Sequence, residues 1–313
     1  MKKLRESVWS FFFHEEGDFW LTSLRTGLGL VVAVYCLSLR GSWNLLLSRS
    51  AAGFVGRDVS EAFTTMESPW IPKVGWIVAV GQRLQLGEQT ILNLLWVTLL
   101  LAAIFVVVGL CSRPAAVICW LLHLCVAKSG GLVAYGLDNF MTIGLFYLML
   151  APLPDRYALD FRMWARRGAT EPSELGFFRR VLQLHLCLIY FFGGATKALG
   201  SGWWDGVNLW TALTRPPFDV LPPAMIARWQ PLLPALGISI WLLELSYPIL
   251  IWPSRTRLLW LTLICAMHLG IGFTMGMPLF AAVMLVLNVA AFGPALATSD
   301  KVQVDRPRPV SAL

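Results

Sequence analysis

Eight stretches of about 17–21 predominantly apolar residues recur along this 313-residue chain, at 20–39, 90–110, 114–133, 136–152, 180–196, 232–252, 256–275 and 277–294. A helix needs about 20 such residues to cross a hydrocarbon core, and lipid cannot satisfy backbone groups left outside regular structure. The composition agrees: 57% of residues are hydrophobic and only 14% are charged, against about 25% charged in soluble domains. A soluble globule, a disordered chain, a coiled coil and a secreted disulfide scaffold are all excluded. The expected fold is all-α, a polytopic transmembrane bundle of about eight spans in one domain, 1–296, with a polar, loose tail at 297–313. The third and fourth runs are short and share a Ser129-Gly130-Gly131 break. The last two are divided only by Gly276 and Pro278, and read either as two helices or as one broken helix.

Net charge is +7, from 25 Lys and Arg against 18 Asp and Glu. In a soluble protein this would raise nucleic acid as a partner. Here the basic residues sit in short loops between apolar runs, where they read as topology signals and contacts with anionic membrane lipids; nucleic acid is not expected. With the N-terminus inside, eight crossings place fifteen Lys and Arg on inner segments and nine on outer ones, five of those nine in the long segment 40–89. Short loops carry the orientation signal, so both termini are expected on the cytoplasmic side. The first run follows the acidic His14-Glu15-Glu16-Gly17-Asp18 and reads as a retained span rather than a cleaved signal. The six cysteines lie in or beside apolar runs and form no CxxC pair, and no HExxH, P-loop or GxGxxG occurs, so no metal or nucleotide site is expected.

Two segments suit the outer headgroup belt as interfacial helices: Trp203-Trp204-Asp205-Gly206 with its continuation to Leu213, and the amphipathic stretch 58–85. The most informative residues are those a bilayer rejects, because an ionisable side chain at mid-depth costs at least about 2.5–3.5 kcal/mol. Glu244 sits mid-run ahead of Pro248, and His268 lies in the next run, antiparallel to it across the Pro253–Arg257 turn. Their depths differ by about one helical turn, so they are expected to face each other, either as a structural hydrogen bond or as an acid/base pair. Lys197 ends the fifth run; it reads either as a lysine snorkelling to the outer interface or as a desolvated amine at a cavity mouth. Asp138, opening the fourth run on the same side, either pairs with Lys197 or caps its helix. Gly193 and Gly194 thin the helix before Lys197, which would let a flat ring or lipid chain approach, with Trp203 and Trp204 as a roof. Arg25 reads as a structural tie near the inner face, and His123 and His185 as core histidines.

These motifs resemble the horizontally transferred transmembrane (HTTM) family, the membrane domain shared with vitamin K-dependent gamma-carboxylase. The resemblance rests on Asp18 and Arg25 opening the first run; on Tyr135-Gly136-Leu137-Asp138 ahead of Ala151-Pro152-Leu153-Pro154 and Tyr157-Ala158-Leu159-Asp160; on Tyr190-Phe191-Phe192-Gly193-Gly194-Ala195-Thr196-Lys197 leading to Trp203-Trp204-Asp205-Gly206; and on Glu244, Pro253, Arg255 and His268. It implies that Lys197 is a base acting on a quinone-like or lipid substrate, a reduced quinone being the cofactor the family suggests. The placement of the residues themselves adds Glu244, His268 and Asp138 as candidate catalytic residues, and Tyr190, Gly193, Gly194, Trp203 and Trp204 as candidate substrate contacts. Where the family has a second catalytic histidine, this chain reads Leu137-Asp138-Asn139-Phe140, and nothing in its 313 residues corresponds to the carboxylase's lumenal domain. Glutamate carboxylation is therefore not expected. The alternative is a non-enzymatic membrane accessory or scaffold, partnered by a membrane or extracytoplasmic protein, whose buried polar residues only specify helix packing. A proton-coupled carrier using Glu244 and His268 is disfavoured by the lack of an inverted repeat.

Overall fold

The computed structural model describes residues 2–49, 56–131, 133–163 and 171–293, and every regular element among them is helical. The expected tail at 297–313 lies outside the described residues. In chain order the helices are α1 (Lys2–Phe12), α2 (Phe19–Leu39), α3 (Trp43–Leu47), α4 (Arg57–Glu67), α5 (Val74–Arg83), α6 (Glu88–Val108), α7 (Ser112–Ser129) and α8 (Gly136–Leu150). They continue as α9 (Leu159–Met163), α10 (Pro172–Leu199), α11 (Val207–Thr214), α12 (Pro223–Trp229), α13 (Leu233–Leu250), α14 (Ser254–Thr274) and α15 (Pro278–Phe292).

Each of the eight apolar runs contains one long helix. Five segments are long and apolar enough to cross a membrane: α2, α6, α10, the run Pro223–Leu250 and α14. The apolar helices α8 and α15 have 15 residues each, about 22 Å of rise. The ambiguous final pair is resolved: α14 ends at Thr274, Gly276 turns the chain with φ +66°, and α15 starts at Pro278 and folds back so that Ala281 packs on Gly272. Pro248 does not end α13, which continues to Leu250. The segment 58–85 divides into α4, packed on α7, and α5, packed on α6. Helix α1, whose mixed sequence contains no apolar run, packs on α10.

α2 lies at the centre, against α6, α8 and α15, and its Leu24, Leu28 and Val32 are fully buried with Leu92, Leu99, Leu145 and Leu287. Gly29 permits this closeness: a Cβ there would lie 3.0 Å from the Ala103 carbonyl of α6. A set of ionic ties gathers helix ends at one face of the bundle. Arg25 in α2 is 2% exposed and donates through Nε to Asp155 Oδ2 (2.5 Å) and through Nη1 to the Val106 and Val107 carbonyls that end α6 (2.7 and 2.6 Å). Asp18 accepts from Arg156, while Asp160 accepts from the Cys111 and Ser112 N–H groups that open α7. The expected tie at Arg25 is thus present, with Asp155 as its partner. Asp155 and Asp160, which follow α8, tie the ends of α2, α6 and α7 at this face.

Candidate functional site

α10 packs more extensively on α13 than on any other helix, and the cause is Gly194. A Cβ at Gly194 would lie 2.6 Å from the Leu245 backbone nitrogen and 3.0 Å from the Trp241 carbonyl. The space beside Gly194 is therefore taken by the α13 backbone itself, not left for a ring or a lipid chain. At this approach the polar faces of the two helices meet. Tyr190, Gly193, Gly194 and Lys197 share one face of α10 by their three- and four-residue spacing, and Trp241, Glu244 and Tyr247 are spaced along α13.

Lys197 Nζ donates to Glu244 Oε2 at 2.6 Å. Glu244 is deeply buried, with 8% of its side chain exposed, whereas Lys197 keeps 24%. Gly193 makes room for this pair, since a Cβ there would stand 3.2 Å from Glu244 Oε2. Trp203 lies over the ammonium, with 5.4 Å from Nζ to the ring centroid, a favourable placement for a cation over an indole face. Trp204 turns elsewhere: its indole N–H donates to the Ala198 carbonyl, and its ring packs on Trp241 with centroids 4.9 Å apart. It is half exposed.

The expected Glu244–His268 pair is not formed. His268 Nε2 lies 2.9 Å from the Tyr190 hydroxyl, and it is Lys197 that binds Glu244. α10 lies close enough to α13 to supply a cation at the depth of Glu244. His268 instead ends a buried chain of hydrogen bonds. Tyr247 O–H donates to Asn288 Oδ1 (2.7 Å), and Asn288 Nδ2 donates to the Tyr190 oxygen (2.7 Å) and to the Met284 carbonyl (2.8 Å). Tyr190, Tyr247, His268 and Asn288 are all at most 4% exposed. Asn288 and Tyr247 were legible as polar groups inside apolar runs, but nothing in their spacing announces the partnership. Two buried ring nitrogens beside this assembly, Nδ1 of His268 and Nε1 of Trp241, have no hydrogen-bond partner among the described residues.

Asp138 does not approach Lys197 as its nearest carboxylate; that place belongs to Glu244. Asp138 Oδ2 accepts the Tyr135 backbone N–H (3.0 Å), closing the first turn of α8, and Oδ1 accepts the Tyr35 hydroxyl of α2 (3.2 Å). The capping alternative describes it. His123 Nε2 stands 3.8 Å from the same carboxylate, and its Nδ1 is 3.1 Å from the Thr142 hydroxyl. Asp138 lies at the wall of a cleft of about 570 Å³ bounded by α4, α7 and α8, with Lys128 and Glu67 among its lining residues. Phe280 of α15 packs on His268 (centroids 5.6 Å apart) and also on Phe140 and Gly136. The polar residues thus form two assemblies, one at α10, α13, α14 and α15 and one at α2, α7 and α8. His185, bonded to the Tyr147 hydroxyl at 2.8 Å, belongs to neither.

The first assembly can move a proton over a short distance: an ammonium and a carboxylate 2.6 Å apart convert to amine and carboxylic acid by shifting one hydrogen. Among the described residues no group of His, Cys, Asp and Glu is arranged to hold a metal ion. In comparisons with known proteins, no family model, no curated protein and no solved structure matches this chain.

Proposed function

We propose that this chain is an eight-span membrane protein of the HTTM type, with both termini in the cytoplasm and the Trp203–Leu213 and 58–85 segments at the outer interface. Its Lys197–Glu244 pair is an acid–base centre acting on a quinone-like or lipid substrate. The observation that carries this reading is the pair itself. Glu244 is buried in an apolar helix, bound to an amine that retains an opening to the outside at 24% exposure. Charge at such depth is costly, and a bundle that needed only packing would gain as much from apolar residues of similar volume.

The chemistry follows from the 2.6 Å contact. Passing its proton to Glu244 leaves Lys197 as a neutral amine. That amine takes the hydroxyl proton of a hydroquinone-like substrate entering from lipid, giving the substrate oxyanion and restoring the ammonium. The oxyanion then faces the ammonium directly, which is the electrostatic arrangement that stabilises it. Trp203 supplies an aromatic face beside the reacting amine. Tyr190 and His268 support the wall behind them. Asp138 takes no part at this centre.

A second reading is a membrane accessory protein without catalysis, favoured by one fact: Lys197 and Glu244 neutralise each other completely. Mass spectrometry of apolar small molecules that copurify with the full chain separates the two. The enzymatic reading expects a quinone or lipid retained by the wild type and lost in Lys197→Met, with Lys197→Arg folding but unable to deprotonate a hydroquinone, since a guanidinium does not give up its proton. Identical small-molecule content in wild type and variants would leave the accessory reading standing and remove the enzymatic one.

A further inference from the structure

At the face where α10 begins and α13 and α15 end, three guanidinium groups converge on a pocket of about 160 Å³. Each is held by backbone or side-chain acceptors on two sides. Arg179, 8% exposed, donates to the Ala291 and Gly293 carbonyls at the end of α15 and pairs with Glu16 at 2.8 Å. Arg180 donates through Nε to the Phe11 carbonyl of α1 and through Nη1 to Gln183. Its guanidinium stacks over the rings of Phe11 and Trp252 at 4.7 and 5.2 Å. Arg257 donates to the Ile251 and Trp252 carbonyls at the end of α13. Nη2 of Arg180 and Nη1 of Arg257 make none of these bonds, so two of the three guanidiniums that line the pocket keep donors to spare.

The charges here do not balance. Against three guanidiniums stand one carboxylate, Glu16, and the carbonyl ends of α1, α13 and α15, each equivalent to about half a negative charge. About half a positive charge is left over. Glu16 cannot supply more, because its second oxygen already accepts from His14 at 3.0 Å. Capping of helix ends therefore accounts for part of the arginine set and not for all of it.

We infer that this pocket binds the phosphate of an anionic phospholipid headgroup through Arg180 and Arg257. Paired arginines match phosphate oxygens with directed N–H groups, and basic pockets between helix ends are where anionic headgroups are held. The lipid source is favoured by what adjoins the pocket. Trp252 places an indole at its edge, the composition of an interfacial belt. Next to it, α1 carries Lys3 and Arg5 together with Val8, Trp9 and Phe11, all 36% or more exposed, the make-up of a helix lying in the headgroup layer.

The test uses the purified full chain in neutral detergent, with native mass spectrometry of retained phosphatidylglycerol against phosphatidylcholine, and inorganic phosphate as a third probe. Wild type is expected to retain phosphatidylglycerol in preference. Arg180→Gln and Arg257→Gln should each lower that preference about fivefold and the double variant about thirtyfold, the worth of one and two basic residues at a membrane surface. Arg255→Gln, on the same turn but outside the pocket, should leave it unchanged. Glu16→Gln removes the competing carboxylate while keeping every arginine, and should strengthen the preference, so a folding defect in the arginine variants cannot imitate the pattern. Equal retention of the two lipids by wild type overturns the inference, as does an undiminished preference in the double variant. Saturation by inorganic phosphate without lipid preference assigns the pocket to a soluble anion and overturns the lipid source.

Discussion

Removing one partner of the Lys197–Glu244 pair should have very different consequences depending on which partner goes. Glu244 has 8% of its side chain exposed and, among the described residues, accepts a hydrogen bond only from Lys197. In Lys197→Met the carboxylate is left in the contact between α10 and α13 with no cation, the situation in which breaking a buried pair costs about 3–5 kcal/mol. The reverse substitution, Glu244→Met, strands an ammonium that is 24% exposed, sits on the last turn of α10 and is carried by a flexible stem. That amine can reach water, keeps its contact with Trp203, and remains favoured by the carbonyl end of its helix. Its loss should cost about 1 kcal/mol. The double substitution removes both charges and should lie within about 1 kcal/mol of wild type, well below the sum of the singles. Equilibrium unfolding of the full chain in mixed micelles measures all four proteins. Equal costs for the two single variants, or a larger cost for Glu244→Met, would mean that the amine is the buried member and would refute the argument.

Asp155→Leu should destabilise by about 3–5 kcal/mol, because Arg25 at 2% exposure retains only the Val106 and Val107 carbonyls, and Arg25→Met/Asp155→Leu should recover most of that loss; thermal unfolding in detergent measures both. Gly194→Ala should cost about 1–3 kcal/mol despite its small size, since the added Cβ meets the Leu245 backbone at 2.6 Å, whereas Gly270→Ala, with open space around it, should be neutral or better; the same melts compare them. Cysteines placed at 160 and at 303 should label from the cytoplasmic side only, and labelling of either from outside would remove the proposed orientation. Position 160 is anchored at the face where α7 begins, and 303 lies outside the described residues.

The positions of the eight long helices, the residues that hydrocarbon would reject, and the depth of each within its run follow from the sequence, because apolar length and a rise of 1.5 Å per residue fix a residue's place along an axis. Arg25 as a tie was legible for the same reason, being set by local position, whereas for Asp138 the sequence left capping and pairing with Lys197 both open. Rotation of a helix and the identity of its neighbour are not written in its own residues. Glu244 and His268 sit in consecutive antiparallel helices at similar depth, yet Glu244 turns to Lys197 and His268 to Tyr190, because Gly194 brings the α13 backbone against α10. Asp138 and Lys197 belong to the same end of the bundle but to different assemblies, one on Tyr35 of α2 and the other on α13. Close packing at one glycine decided which charges meet, and such contacts exist only once the helices are assembled.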